Sequence, residues 1–248
     1  MRVLLVVVFA VLPSVLPSVG SAQRRFPPDS LVNVKVFAKD TPMRDVIATM
    51  RGWTGALGVR CTHCHVGEEG RPLNTLDFAS DEKRPKEVAR VMLQMVNAIN
   101  GEHLSKLPNG GPAALRVSCE TCHRGVARPE RIERIVESII TTAGVDSAVR
   151  AYRGLLAAYE HRGSYNFTDG PLSDLAQQLS ARKQYDDALA LLTLNEDTHK
   201  GSPEVPLVRG DVLLAKGDTA AAVDAYRLAL QRAPNGPARF RLRDLGRQ

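Results

Sequence analysis

The chain has few aromatic residues, few cysteines and a single long apolar run. Of its 248 residues, 5% are aromatic and four are cysteines. The net charge is +6, of which residues 23–128 account for +5. Basic residues interleaved with aromatics, as nucleic-acid-binding surfaces have them, are missing. The charge therefore predicts a solvated surface, and we expect no nucleic-acid partner.

The long apolar run lies at the N-terminus and has the pattern of a secretory signal peptide. Arg2 precedes an apolar stretch at residues 3–12, two prolines then interrupt a spanning helix, and small residues precede a cut ahead of Gln23. The alternative is an uncleaved N-terminal membrane anchor. We predict that residues 1–22 are a signal peptide, and that the protein is periplasmic and soluble once exported.

All four cysteines belong to two copies of one short motif. Cys61-Thr62-His63-Cys64-His65 and Cys119-Glu120-Thr121-Cys122-His123 both read C-x-x-C-H. Two thiols at this spacing can form thioethers with the vinyl groups on one porphyrin edge, and the histidine that follows can then bind the iron. The motif predicts two covalently attached haem c groups. Their iron atoms would have His65 and His123 as proximal ligands.

Other uses of the cysteines fit this pattern poorly. Zinc sites made of two C-x-x-C pairs usually have about 15–20 residues between the pairs, whereas 54 residues separate Cys64 from Cys119. Zinc would also leave both trailing histidines unexplained. A thioredoxin-like redox pair needs a βαβ context that the sequence lacks. Two disulfides would close only tight loops, so haem attachment is the preferred interpretation.

A methionine-bearing amphipathic helix is predicted before each box. Thr41 as N-cap and Pro42 as first residue would open the first helix, and Gly55 and Gly58 would end it. The second would open near Ser80-Asp81-Glu82 and Pro85, and the turn-rich residues 107–112 would end it. Its apolar stripe consists of Val88, Val91, Met92, Met95, Val96 and Ile99. Residues 23–40 predict an extended lead-in with a short strand at 31–36.

The sixth iron ligand decides what each haem can do. A methionine thioether raises the reduction potential and fills the coordination sphere, which favours electron transfer over substrate chemistry. Met50 lies eleven residues before Cys61, which leaves enough chain to place a haem between the helix and His65. Met43 lies two turns further away, and spacing alone does not choose between Met92 and Met95. His103, just after the second helix, is an alternative ligand for the second iron.

The second half of the chain has a different composition. It is rich in Ala and Leu from about Ile132, and a helix is predicted at residues 146–159. A period of 34 residues, with helix–turn–helix texture, predicts tetratricopeptide-like repeats, and generic helical hairpins are the alternative. The helix at 146–159 and the segment at 239–247 would cap the repeats, and His161 and His199 would lie on the surface. The matched positions are Ala176, Leu179, Ala181, Ala188 and Leu192 with Gly210, Leu213, Ala215, Ala222 and Tyr226.

Several stretches resemble the cytochrome c subunit of photosynthetic reaction centres. They are residues 57–65 (LGVRCTHCH), residues 79–81 leading into 86–92 (ASD, KEVARVM), and residues 117–125 (VSCETCHRG). The resemblance covers roughly residues 33–128. In that family each haem unit is a helix that donates a methionine, a turn and an attachment box. The resemblance implies Met50 as the partner of His65, and Met92 as the partner of His123.

This chain departs from the family pattern in length. The family characteristically has four haem units, whereas this chain has two, followed by the helical repeats. The sequence therefore predicts an all-α protein that is a half-length, dihaem version of the subunit. Its predicted parts are the signal peptide at 1–22, a dihaem cytochrome c domain at 23–130 and a tetratricopeptide-like domain at 131–248.

The predicted function is that of an electron carrier and not of an enzyme. The protein would pass single electrons between redox partner proteins, among which a membrane-bound electron-transfer complex is one candidate. The helical repeats would provide the protein docking surface. Two alternatives stay open at this point. One is a peroxidase-like dihaem enzyme with an open iron site, and the other is a haem-based redox sensor or adaptor that acts through the repeats.

Overall fold

The computed structural model describes residues 25–108 and 115–246. Across these ranges the chain forms ten α-helices with short 3₁₀ and π segments and no strand, apart from an isolated antiparallel bridge between Val66 and Asp77. The all-α prediction is confirmed. No helix in the described ranges is both long and apolar enough to cross a membrane. The predicted signal peptide at 1–22 and residues 109–112 of the predicted turn lie outside the described residues.

One helix precedes each of the two C-x-x-C-H boxes, as predicted. Helix α1 (Met43–Leu57) begins one residue later than expected, since Pro42 occupies the N-cap position and no side chain caps the helix. It ends at Gly58, whose left-handed φ of 66° suits glycine. Helix α2 (Arg84–Ala98) has a proline in its first turn. A π segment at Ile99–His103 and a 3₁₀ turn at Leu104–Lys106 continue it.

The strand predicted at residues 31–36 is wrong. Asn33 has a φ of 61°, a left-handed conformation that asparagine tolerates but that a strand cannot contain. Its side-chain amide donates hydrogen bonds to the Ala79 carbonyl at 2.6 Å and to Asp81 Oδ1 at 2.9 Å. These two hydrogen bonds connect the lead-in to the segment before α2, so the lead-in is a bent loop and not a strand.

The second half consists of helical hairpins. Neighbouring helices pair as α4 (Ile132–Ala143) with α5 (Val145–Tyr159), α6 (Asp169–Ala181) with α7 (Tyr185–Thr198), and α8 (Glu204–Lys216) with α9 (Thr219–Arg232), while the short α10 (Ala238–Asp244) packs on α9. The helix predicted at 146–159 is α5. The pairing of α4 with α5 was not predicted, and it adds a hairpin whose apolar residues share one core with α6, α7 and α8.

The 34-residue period corresponds to equivalent buried positions in consecutive hairpins. Ala176 and Leu192 in the first copy are fully buried, as is Tyr226 in the second. A Cβ atom added at Gly210 would lie 2.4 Å from the Tyr226 ring, so the larger aromatic side chain needs glycine where the first copy has alanine. Small and large residues therefore vary together between the two copies.

The surface position predicted for His199 is wrong, whereas His161 is exposed as predicted. The His199 ring is half-buried at the end of α7. Its Nδ1 lies 2.9 Å from Asn195 Oδ1, and its Nε2 lies 2.9 Å from the Phe167 carbonyl oxygen. His199 thus joins α7 to the loop before α6, a long-range contact that helical spacing does not reveal.

Candidate haem-binding site

The first box folds as a tight turn. Cys61–His63 is a 3₁₀ segment, and the His65 amide donates a hydrogen bond to the Cys61 carbonyl at 3.0 Å. This brings both half-buried thiols of the box to the same side as the His65 ring. The ring is 8% exposed and packs edge-on against Phe78, with 4.9 Å between centroids.

The His65 imidazole is held in its neutral form. Burial, then the charges of Lys86 and Arg90, lower its pKa to about 4. Its Nδ1 is buried and has no hydrogen-bond partner among the described residues. A neutral imidazole is the form that binds a metal ion. The residue therefore has the protonation state that a proximal iron ligand requires.

One thiol of each box has a raised pKa. Burial raises the pKa of Cys64, as does its neighbour Cys61, although Lys83 and Lys86 partly oppose this. Burial also raises the pKa of Cys119. Catalytic and redox-active cysteines usually have a lowered pKa. Cys64 and Cys119 therefore lack the lowered pKa that is typical of a thiol–disulfide catalyst.

A cluster of charges fastens α2 beside the first box. Asp81 accepts hydrogen bonds from Lys35 and Arg90, both at 2.8 Å, and these contacts hold the pKa of its carboxyl well below the usual range. Arg90 is almost fully buried and also bonds Glu87 at 2.8 Å. Lys86 donates to three successive carbonyls, those of Phe78, Ala79 and Ser80. The sequence pattern of α2 does not reveal the roles of Lys86 and Arg90, because they lie outside its apolar stripe and their partners lie outside the helix.

The second box is helical and is positioned from the end of α2. It forms α3 (Cys119–His123), which Ser118 and Thr121 cap reciprocally. Asn100, in the π segment, donates to the Val117 carbonyl at 2.8 Å and accepts from the Val117 amide at 2.9 Å. This clamp sets where the chain enters the box. The sequence shows only that an asparagine follows the apolar stripe of α2, which does not reveal this clamp. The structure places Asn100 in a π segment, and π segments are frequent at functional sites.

The His123 ring is oriented by the turn that follows it. Its Nδ1 lies 2.9 Å from the Val126 carbonyl oxygen, which can only accept a hydrogen bond. Nδ1 is therefore the donor in this hydrogen bond, and Nε2 is the ring nitrogen that remains to bind iron. Metal-binding histidines usually have such a backbone partner. The second box thus contains an imidazole of the tautomer that a proximal ligand needs.

The two boxes are joined through the end of α1. The Gly125 amide donates to the Ala56 carbonyl at 2.8 Å. A Cβ atom added at Gly58 would lie 2.0 Å from the Gly125 carbonyl oxygen, so the two glycines allow the backbones to touch. Gly58 lies three residues before the first box, and Gly125 lies two residues after the second. This junction brings the two boxes next to each other.

Both boxes and both helices line one apolar cleft of about 1140 Å³. Its volume exceeds the roughly 300–1,000 Å³ of ordinary small-molecule sites. Apolar side chains of α2, among them Val88, Met92 and Met95, are exposed along one wall. A flat apolar group with two thiol attachment points per unit fits this wall. The potential ligands and attachment residues in the lining are Met43, Met50, Met92, Met95, Cys61, Cys64, Cys119, Cys122, His63, His65 and His123.

His103, the alternative ligand for the second iron, does not belong to this set of lining residues. His103 is exposed on the π segment and is not part of the cleft lining. Met50 and Met92 line the cleft together with both proximal histidines, as do Met43 and Met95. Imidazole and methionine thioether are ligands of c-type haem iron, and cysteine thiols attach its porphyrin. The residues present therefore fit covalently attached haem.

Matches to known proteins cover both the region of the boxes and the helical repeats. Residues 146–246 match the model of a tetratricopeptide repeat-like domain. Cytochrome c-554 of Chloroflexus aurantiacus is 40% identical over 80 residues, which are 32% of this chain and 16% of that relative. The chain thus spans only a small part of the curated relative that it matches. Residues 10–158 match the family model described as photosynthetic reaction centre cytochrome C subunit, more than half of the chain, and overlap the repeat match within α5. The chain belongs to the photosynthetic reaction centre cytochrome c subunit family, which implies covalently bound haem c.

Proposed function

We propose that the protein is a periplasmic dihaem c-type cytochrome that passes single electrons between redox partner proteins. One observation supports this most strongly. Both C-x-x-C-H boxes and the methionines of both preceding helices line the same cleft. Haem iron, when bound there, supplies one-electron redox chemistry. The division into residues 1–22, 23–130 and 131–248 belongs to this proposal.

The chain would hold each haem by four groups. Cys61 and Cys64 would anchor the first porphyrin, with His65 and Met50 as iron ligands. Cys119 and Cys122 would anchor the second porphyrin, with His123 and Met92 as iron ligands. Two protein ligands on each iron would leave no position for a substrate, which favours a carrier over an enzyme.

The helical repeats would recruit the partner. Tetratricopeptide-like stacks form extended surfaces on which other proteins bind. The repeat-like match over residues 146–246 supports this role for the helices from α5 onward. A membrane-bound electron-transfer complex is the partner that best suits an exported electron carrier.

The first test is haem content. The full chain is expressed with haem-maturation machinery, and its intact mass is measured. We expect the mass of the polypeptide plus two haems, and Cys→Ser changes in one box should remove one of them. A protein that carries one haem or none would refute the dihaem proposal.

The second test identifies the sixth ligands. We expect a low-spin oxidised spectrum with the sulfur–iron charge-transfer band. Met50→Ala and Met92→Ala should each remove about half of that band, while Met43→Ala and Met95→Ala serve as matched controls on the same helices. Loss of the band in a control variant would reassign the ligand. A high-spin spectrum with rapid peroxide turnover would contradict the carrier role and favour a peroxidase-like enzyme.

A further inference from the structure

We propose that Ser164, in the loop between α5 and α6, is a positioning residue for His123, and that the repeat region tunes the second haem through it. The proposal rests on the proposed role of His123 as an iron ligand. It adds that the repeats are part of one haem site, in addition to any role in docking a partner.

The turn after His123 needs support from outside. Arg124 has a φ of 47° and Gly125 a φ of 85°, so two successive residues are left-handed. A residue other than glycine is strained in this conformation, which persists only where its surroundings hold it. The turn matters because it brings the Val126 carbonyl to His123 Nδ1. Whatever holds Arg124 therefore also sets the orientation of the imidazole.

Two contacts from the repeat region hold Arg124. Ser164 Oγ donates a hydrogen bond to the Arg124 carbonyl oxygen at 2.5 Å. Arg124 Nη1 donates to the Gly163 carbonyl oxygen at 3.3 Å. These bonds join residues 40 and 39 positions apart in the sequence. On the other side, the Gly125 amide bonds Ala56 of α1, so the turn is held between the two halves of the protein.

The loop that carries Ser164 is itself anchored in the repeat core. The Tyr165 and Phe167 rings are 5.8 Å apart, and Phe167 packs edge-on against the buried Tyr152 of α5 at 5.6 Å. The Phe167 carbonyl also lies 2.9 Å from His199 Nε2 at the end of α7. A movement of α5 or α7, such as partner binding would cause, is therefore carried to Ser164.

The first box is held differently, which provides an internal control. Its turn is supported by the Val66–Asp77 bridge and by Phe78 against the His65 ring. These residues lie within twenty positions of the box. Weakening the Ser164 bond should thus affect the second haem and leave the first unchanged.

The test is a redox titration of the full-length, haem-loaded protein. Ser164→Ala should shift one of the two reduction potentials, the same one that Met92→Ala affects, whereas Ser164→Thr should keep both at their wild-type values. Losing a direct outer-shell partner of a metal ligand changes metal affinity by about 10–100-fold. Ser164 acts one bond further away, so we expect up to about a tenfold change in the ferric–ferrous equilibrium, or about 59 mV for one electron.

Ser147→Ala is the matched control, since this half-buried α5 hydroxyl accepts a hydrogen bond from Arg150 of its own helix and lies outside the loop that carries Ser164. Unchanged potentials in Ser164→Ala, equal shifts of both haems, or the same shift in Ser147→Ala would overturn the proposal. Intact mass separates this failure from that of the proposed function, because the latter would appear as missing haem.

A second measurement needs no variant. Coupling between two sites is reciprocal, so reducing the wild-type protein should change amide hydrogen exchange in residues 160–168. Exchange in α9 should stay the same. Identical exchange of the loop in the ferric and ferrous states would refute the link even if Ser164→Ala failed to fold.

Discussion

Replacing Gly58 by alanine should strongly destabilise the junction between the two haem boxes. The left-handed φ of 66° at this position is unfavourable for alanine by about 1–2 kcal/mol. The new Cβ would also lie 2.0 Å from the Gly125 carbonyl oxygen, and backbone cannot rotate away as a side chain can. Relief requires the Gly125–Ala56 hydrogen bond to lengthen. We expect the free energy of unfolding to fall by about 3–5 kcal/mol.

Gly55→Ala is the matched control for this change. Gly55 lies three residues earlier, inside α1, and an added Cβ there meets no atom within 4 Å. Alanine is a better helix former than glycine by about 1 kcal/mol, so this variant should be slightly more stable than wild type. The same substitution inside α1 and at its C-cap should therefore change the free energy of unfolding in opposite directions.

The assay is guanidinium unfolding of the oxidised, haem-loaded variants, followed by far-UV circular dichroism and by Soret absorbance. Gly58→Ala should also perturb the spectrum of the haem that we propose at the second box, because Gly125 belongs to the turn that orients His123. Equal effects of the two substitutions would refute the close approach of Gly58 to Gly125. A destabilised Gly58→Ala protein with an unchanged Soret spectrum would refute its connection to the site.

Three further predictions concern stability. Gly210→Ala should lower the free energy of unfolding by about 1–2 kcal/mol, and Tyr226→Leu should relieve that overpacking, because the pair then reproduces Ala176 and Leu192. A double-mutant cycle should give a coupling energy of about 1–3 kcal/mol between the two substitutions. Additive effects would contradict the 2.4 Å approach of a Cβ atom at position 210 to the Tyr226 ring. Tyr152→Phe should stabilise the protein by about 1–2 kcal/mol, because the buried Tyr152 hydroxyl has no hydrogen-bond partner among the described residues. Tyr226→Phe should destabilise the protein, because it removes the 2.8 Å hydrogen bond to Asp211. Thermal unfolding of the two variants measures both effects. The pKa of Asp81 is lowered in the folded state, so its stabilising contribution is present above pH about 3.9, the ordinary pKa of an aspartate, and is lost as the pH falls below that value. The melting temperature should therefore drop as the pH falls below about 3.9, and Asp81→Asn should weaken the drop. The same dependence of the melting temperature on pH in Asp81→Asn and in wild type would argue against the Asp81 cluster.

Sequence patterns predicted the local parts of this fold well. The boxes, the helix after Pro42, the stop at Gly58 and the helix at 146–159 each depend on neighbouring residues, and they are found within a residue of the expected place. The strand at 31–36 failed because alternation alone does not make a strand. Asn33 instead bonds Ala79, which lies 46 positions away.

The candidate site was predictable where its chemistry is local. Cysteine spacing and the trailing histidines predict the attachment residues without any knowledge of the fold. The groups that control those residues were not predictable in the same way. Arg90, Asn100 and Ser164 act through contacts across 9, 17 and 40 positions. No periodic pattern reports contacts of that length.

The sequence by itself predicted covalent haem c attachment and a structure built from helices, because attachment motifs and helical periodicity are properties of short segments. The tertiary structure decided that both boxes line a single cleft, that two glycines bring them into contact, and that a serine from the repeat region supports the turn beside His123. These features exist only once distant segments pack together, since hydrogen bonding and close approach depend on position in space and not on position in the chain.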